Sequence, residues 1–212
     1  MDALEELLLK FLGVRPLETM KKEMEDEVVV EAYPKDEAKP IEDFPKVKVV
    51  EGKDPGEDWK VPYLRVYGSL DGRVFFYGPL KSILTYGFGE LLVKASQKVE
   101  KKSLIVPIKL RVFVYPGKPC YAVLRDAAEV ARRYDNLEVE FVHVDGGKRL
   151  AMLYELGVNK VPTYVVDGKV INVGPLTPEE LEKKLMKIAA DKAFEEAKKE
   201  ILKEKDATSP SS

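Results

Sequence analysis

The 212-residue sequence is poor in the residues on which most site chemistry depends, with one cysteine, one histidine and one tryptophan in the whole chain. A single cysteine, Cys120, excludes an intrachain disulfide and any multi-cysteine metal site. With His143 as the sole imidazole, a zinc centre would need carboxylates for its remaining ligands, so neither a metal nor another cofactor is expected. Long hydrophobic runs are also missing. No stretch approaches the ~20 apolar residues that span a bilayer, and the start, Met1-Asp2-Ala3-Leu4-Glu5-Glu6, is acidic where a secretory signal is basic. The expectation is a cytoplasmic protein with no membrane partner. Nor is one sign of charge in excess: 35 Lys+Arg stand against 37 Asp+Glu, a net charge of −2, which offers no field to attract nucleic acid. Amides are scarce, with Gln97 the only glutamine and Asn136, Asn159 and Asn172 the only asparagines, while charged residues make up 34%. That balance points to a thermophilic source, where ion pairs cost less desolvation and amides are labile.

What the chain does contain is an internal echo. Lys60-Val61-Pro62-Tyr63, Asp71-Gly72-Arg73-Val74 and Gly78-Pro79-Leu80 recur in order as Lys160-Val161-Pro162-Thr163, Asp167-Gly168-Lys169-Val170 and Gly174-Pro175-Leu176. The first set carries four additional residues, Tyr67 to Leu70. Each set reads as an extended run opening at a proline, an Asp-Gly turn and a second extended run, which is a β-hairpin followed by a helical pattern. Short strings of this kind can coincide, but three in the same order point to a tandem duplication.

Upstream of the second hairpin, 111–115 (RVFVY) predicts a strand and 119–134 a helix with Val123, Leu124, Ala127, Ala128, Val130 and Ala131 on one broad stripe. A second strand is predicted over 137–144, then a short helix over 148–156 that Gly157 ends in a left-handed cap. The order β-α-β-α-β-β-α implies a four-stranded mixed sheet with helices on both faces. Upstream of the first hairpin, strands are predicted over 28–33 and 47–50. Eighteen fewer residues separate Pro34 from Pro62 than Pro116 from Pro162. The intervening KDEAKPIEDF and EGKDPGEDW lack helical periodicity, so the two connecting helices of this half are expected to shrink to loops. The chain thus divides into an N-terminal helical arm (1–26), a degenerate half (27–98), a complete half (107–190) and a C-terminal helix extension with a tail (191–212). In the arm, Leu4, Leu7, Leu8, Phe11 and Leu12 share a helix face suited to covering the sheet surface that the lost helices leave bare.

Leu156-Gly157-Val158-Asn159-Lys160-Val161-Pro162-Thr163 before a hairpin and a Leu-rich helix, with RVFVYPGKPC at the end of the first strand, resembles the thioredoxin fold over 107–190. With the echo included, the chain is similar to the tandem-thioredoxin, glutaredoxin-like protein disulfide oxidoreductases of thermophilic archaea and bacteria. The resemblance implies an α/β fold of two thioredoxin-like units, the first with its helices reduced, and mixed parallel and antiparallel sheets flanked by helices. Family chemistry rests on Cys-x-x-Cys at the first turn of the helix after the first strand, where the helix N-terminus stabilises an attacking thiolate and the second cysteine resolves the mixed disulfide. This sequence departs from that pattern. Aligned on the apolar helix stripe, Gly117-Lys118-Pro119-Cys120 fills the motif, with Gly117 in place of the nucleophile and Cys120 at the resolving position. Aligned without a deletion, Lys118 and Tyr121 take those places. Either way the attacking cysteine is missing, and the first half has no cysteine. The family's proline before the third strand is cis, and the residue ahead of it offers backbone groups to an extended substrate. Carried over, Val161 and Pro162 would face Gly117, Lys118, Pro119 and Cys120 across a shallow peptide groove, although a cis proline also persists for shaping a turn alone.

Two readings of Cys120 compete. A helix start and Lys118 nearby favour a reactive monothiol, whereas the resolving position is shielded and free cysteines are mostly buried. His143 alternates within a central strand and reads as a hydrogen-bonded core residue. Gly146-Gly147-Lys148 resembles a phosphate loop only in its glycines. Tyr63, Tyr67, Phe75, Phe76, Tyr77, Tyr86 and Phe88 make the first hairpin region aromatic, suited to filling the thin face or to a partner patch. The last helix is predicted to extend to about Lys203, with Phe194, Ala197, Ile201 and Leu202 available to the first half or to another subunit, and 207–212 reads as a disordered tail. The expected function is a thioredoxin-like module without the dithiol, redox-inactive and binding a polypeptide or acting as an adaptor. The alternatives are a monothiol-dependent thiol-disulfide oxidoreductase using Cys120 and a structural homodimer.

Overall fold

The computed structural model describes residues 3–207. It contains helices α1 (Ala3–Leu12), α2 (Leu17–Glu23), α3 (Ile83–Ser96), α4 (Lys118–Arg133), α5 (Gly147–Glu155) and α6 (Pro178–Ala207). The strands are β1 (Val28–Tyr33), β2 (Val47–Glu51), β3 (Tyr63–Val66), β4 (Val74–Tyr77), β5 (Ile108–Val114), β6 (Leu137–His143), β7 (Thr163–Val166) and β8 (Lys169–Val173). All eight form one sheet in the order β2-β1-β3-β4-β6-β5-β7-β8. Two quartets of the same internal order and sense lie side by side in it. In each, the first two strands run parallel and the hairpin adds antiparallel to the first. Parallel pairing of β4 with β6, Val74 opposite Val139 through Tyr77 opposite Val142, joins them.

Turn chemistry explains the hairpins. Asp167 and Gly168 both have positive φ, 50° and 73°, as the two-residue turn whose twist matches the strands requires. Asp71 and Gly72 repeat this at 52° and 71°. The additional residues of the first hairpin form a 3-10 turn, Gly68–Leu70, that drives Leu70 into the core. The two connections of the first quartet are 3-10 turns, Lys35–Ile41 and Asp58–Lys60, rather than loops. Pro40 inside the first of these removes a backbone donor and keeps it from growing into a helix.

One sheet face carries the main core, built from alternating residues such as Val28, Val30, Ala32, Val139 and Phe141 and covered by α2, α3, α4 and α6. A smaller cluster on the opposite face joins Trp59, Tyr63, Tyr77, Phe113, Val142 and Leu153 beneath α5. The first-hairpin aromatics divide between the two faces: Phe76 packs edge-on against Phe88 in the main core, whereas on the thin one Tyr77 meets both Trp59 and Tyr63 edge-on. Glu140, also on the thin face, is fully enclosed. Arg111 donates to it at 2.8 and 3.0 Å and Lys109 lies 2.8 Å away, as a buried carboxylate requires.

The helical arm differs from its expected role. Leu9 is buried and Leu12 packs on the core, but Leu7 and Phe11 are exposed, and the side chains of Leu4 and Leu8 lie outside the described residues. Periodicity identified an amphipathic helix but not which residues of it would find a neighbour. The arm is held instead through Arg15, which donates to the buried Glu90 of α3 at 3.2 Å. Tyr121 of α4 donates to the same carboxylate at 2.7 Å. No helix among the described residues is long and apolar enough to cross a membrane, and residues 208–212 of the expected tail lie outside the described residues.

The two quartets are clamped by α3 against α4, which approach each other tightly at Gly87. A Cβ there would meet the Tyr121 carbonyl oxygen at 2.9 Å and its Cα at 3.3 Å, both rigid backbone. Gly87→Ala gains up to about 1 kcal/mol of helix propensity, but overpacking costs about 1–3 kcal/mol. The net expectation is a lower thermal midpoint, and an unchanged or higher midpoint in a melting experiment would contradict this packing.

Candidate functional site

The parallel pairing of β4 with β6 sends the features that the sequence singles out to one end of the sheet. Peptide bonds Tyr33-Pro34, Val61-Pro62 and Val161-Pro162 are all cis. The loops before β3 and β7 therefore sit at the same end as the last residues of β1, β5 and β6 and the first turn of α4.

Gly117 precedes α4 with extended backbone and accepts from the Cys120 N–H at 3.0 Å. Lys118 and Pro119 are exposed and Gly117 is half-buried. Cys120 is 2% exposed and joins the main core with Tyr164, its Sγ accepting from the Tyr115 N–H at 3.4 Å. Burial pushes its thiol up to about 11, and the single Tyr115 contact offsets this only in part. The protonated, enclosed thiol is the opposite of what nucleophilic attack needs.

Of the residues expected to line a groove, Val161 does so. Pro162 and Cys120 are buried behind it. An open groove of about 420 Å³ runs between the β5 end, α5 and the cis-proline loop, lined chiefly by Tyr115, Val144, Leu150, Tyr154, Asn159 and Val161. Tyr115 and Tyr154 present 52% and 57% of their surface. These two tyrosines escaped sequence reasoning. The available signal was an aromatic at the last position before the helix turn, and Leu150 and Tyr154 four apart on α5, which places them on one face.

The two corresponding cis-proline loops, at Val61-Pro62 before β3 and Val161-Pro162 before β7, differ in one decisive respect. Val61 is fully engaged: its N–H donates to the Asp58 carbonyl at 3.2 Å, and its carbonyl accepts from Arg149 Nη1 at 2.9 Å. The same Nη1 reaches the Trp59 carbonyl at 3.0 Å, while Asp145 holds the guanidinium by two bonds of 2.8 and 3.1 Å. Arg149 of the second quartet therefore plugs the loop of the first. The spot matching the α4 start is closed as well, because Glu37 of the 3-10 turn accepts the Leu80 N–H at 2.5 Å. At Val161, no described residue bonds the N–H or the carbonyl, and the neighbouring Lys160 carbonyl is taken by the Thr163 hydroxyl at 2.6 Å.

His143 closes the β6 end. Its Nδ1 donates to the Pro79 carbonyl at 2.8 Å, fixing the neutral tautomer, and its buried Nε2 has no partner among the described residues. No described group of His, Cys, Asp and Glu side chains is arranged to hold a metal ion.

This architecture is a thioredoxin-like fold, and the geometric comparisons agree. The N-terminal domain of the alkylhydroperoxide reductase AhpF from Enterococcus faecalis superimposes with a TM-score of 0.62 at 15% identity, covering 79% of this chain and 94% of its own. A protein disulfide oxidoreductase from Aeropyrum pernix gives 0.59 at 15% identity, with 82% and 91% covered. A protein from Sulfolobus solfataricus gives 0.54 at 16% identity, with 81% and 100% covered. No protein-family model matches the chain, and no curated protein matches it in sequence. The likeness is one of fold, on a chain whose single cysteine cannot form the dithiol.

Two measurements check this geometry. Cys120 is expected to react slowly with a thiol reagent in the native protein at neutral pH and rapidly after unfolding; fast native labelling would contradict its burial. His143 has its pKa lowered in the folded state, by burial first, with the Pro79 bond and Asp145 opposing and Arg149 and Lys81 adding to the drop. The unfolded chain then binds the proton more readily, so stability is expected to fall as pH drops below about 6.5. His143→Asn, which keeps a donor for Pro79, should flatten the difference in stability between pH 8 and pH 5. An equally steep loss in that variant would place the titration elsewhere.

Proposed function

We propose that this chain is a redox-inactive thioredoxin-like binding module that takes an extended polypeptide segment in the groove at Val161. The observation that carries the reading is the free backbone N–H and carbonyl of Val161 on the wall of an apolar, tyrosine-rimmed groove. An extended strand satisfies such a pair through its own main chain, while flanking aromatics supply contact area at low entropic cost. Arg149 leaves Val61 no comparable capacity, so the proposal assigns one polypeptide per chain.

Disulfide exchange is disfavoured on two grounds. With one cysteine there is no resolving partner within the chain, and the buried thiol of Cys120 is too basic and too enclosed to attack. A monothiol enzyme would need a thiolate at the surface of α4. Lys118 reaches that surface, but the sulfur does not.

The test uses reduced, carboxymethylated α-lactalbumin as an unfolded probe. Calorimetric titration is expected to show one site per chain, weakened by about tenfold or more in the double variant Tyr115→Asp, Tyr154→Asp. Binding should be unchanged in Cys120→Ala, and insulin in the presence of dithiothreitol should show no catalysed reduction. Absent binding, or binding indifferent to the tyrosines, would refute the groove. Insulin turnover abolished by Cys120→Ser would refute the redox-inactive reading.

A further inference from the structure

Two concavities at the cis-proline end of the sheet share one wall. The Val161 groove, of about 420 Å³, and a second open concavity of about 360 Å³ are both bounded by Asp145 and Gly146. The second lies against the first unit and is lined further by Asp58, Trp59, Val61, Lys148 and Arg149. What stands on the common wall decides whether a chain can cross it. Arg149 holds the Asp145 carboxylate by bonds of 2.8 and 3.1 Å, so that side chain is not free to bar the way. Gly146 and Gly147 follow, with φ of 130° and 52°, where a side chain is rarely tolerated. A Cβ on either would meet no atom within 4 Å. The wall is therefore bare backbone beside open space at its glycines, and the Gly146 N–H has no partner among the described residues. The glycine pair that resembles a phosphate loop leaves a passage.

From this continuity we infer that one extended polypeptide segment occupies both concavities, running from the Val161 groove over Gly146 into the hollow beside Val61. The inference rests on the groove reading and lengthens it across both units. The two parts of the track offer different chemistry. At Val161 the segment meets free main-chain groups, whereas Arg149 already takes the Val61 carbonyl at 2.9 Å and Asp58 the Val61 N–H, so the far end offers side chains instead. Arg149 thus seals the first loop as a site of its own while its surface remains usable as an extension. In that hollow Trp59 is joined by one cation and one anion, Lys148 and Asp58, both exposed and neither ion-paired among the described residues. Flanking charges of opposite sign disfavour a run of either sign. The fitting partner is an unfolded or extended segment of low net charge, long enough to fill both hollows.

Length dependence tests this on the full chain. An extended chain advances about 3.3 Å per residue, so four residues span about 13 Å, enough for one concavity, and ten span about 33 Å, enough for both. The probes are end-blocked, tryptophan-free peptides of four and of ten residues, alternating valine with serine. Trp59 is the only tryptophan in the chain, so its emission reports the second concavity. Both peptides are expected to shift the Val161 amide resonance, but only the longer one to shift the Gly146 amide and change Trp59 emission. Calorimetry should find the longer peptide bound about tenfold more tightly. Asp58→Tyr, which fills the second hollow from an exposed position, should remove that gain and leave the shorter peptide unaffected. A longer peptide that moves Val161 but binds no more tightly and leaves Trp59 unchanged would overturn the shared track while the groove stands. A Trp59 response without one at Val161 would overturn it as well, and silence at Val161 with both peptides would remove the groove reading and the track together.

Discussion

The molecule depends on one strand pairing. Parallel contact of β4 with β6 converts two four-stranded units into one eight-stranded sheet, and because the contact is parallel, equivalent ends of the two units face the same way. The cis-proline loops before β3 and β7 then lie within reach of the β6–α5 connection, so that Asp145 and Arg149 can serve the first unit while Leu150 and Tyr154 line the groove of the second. An antiparallel junction would have placed the loops at opposite ends and left Arg149 nothing to cap. The α3–α4 contact at Gly87 and the Arg15–Glu90–Tyr121 bonds lock the same junction on the helical face.

Burial and charge decide what the single cysteine of this fold can do. A thiolate is stabilised where unpaired helix N–H groups reach a partly exposed sulfur. In this chain that place is held by Gly117 and Lys118, while the one thiol, Cys120, points inward among core side chains, where the charged form is costly. What survives at the sheet end is main-chain hydrogen-bonding capacity, and it is distributed unequally. The first unit spends its own on Arg149, Asp58 and Glu37, which suits a structural half whose covering helices have shrunk to 3-10 turns.

Much of the architecture was legible because it is written in local chemistry. Asp-Gly pairs with positive φ marked both hairpins, the Pro-rich interruptions marked the shrunken helices, and the apolar stripe of 119–134 marked α4, while the burial of Cys120 stayed open between two readings. The features that stayed hidden are long-range. Nothing near Arg149 in the chain announces that its guanidinium meets carbonyls of Trp59 and Val61, because that contact exists only once the two quartets share a sheet. Tyr115 and Tyr154 read as ordinary surface aromatics until β5 and α5 bring them to the two rims of one groove. Leu7 and Phe11 show the reverse error: a helical stripe was visible, but the neighbour meant to cover it is absent among the described residues.

The central claim is that one cis-proline loop is sealed and the other open, and residue-resolved amide hydrogen exchange tests it most directly. In the free protein the Val161 amide, with no acceptor, is expected to exchange near its unprotected rate, whereas the Val61 amide, bonded to Asp58 and flanked by the Arg149 cap, should be protected. Addition of an unfolded polypeptide should slow Val161 and leave Val61 as it was. Equal protection of the two amides in the free protein, or an unfolded chain that slows Val61 instead, would contradict the account.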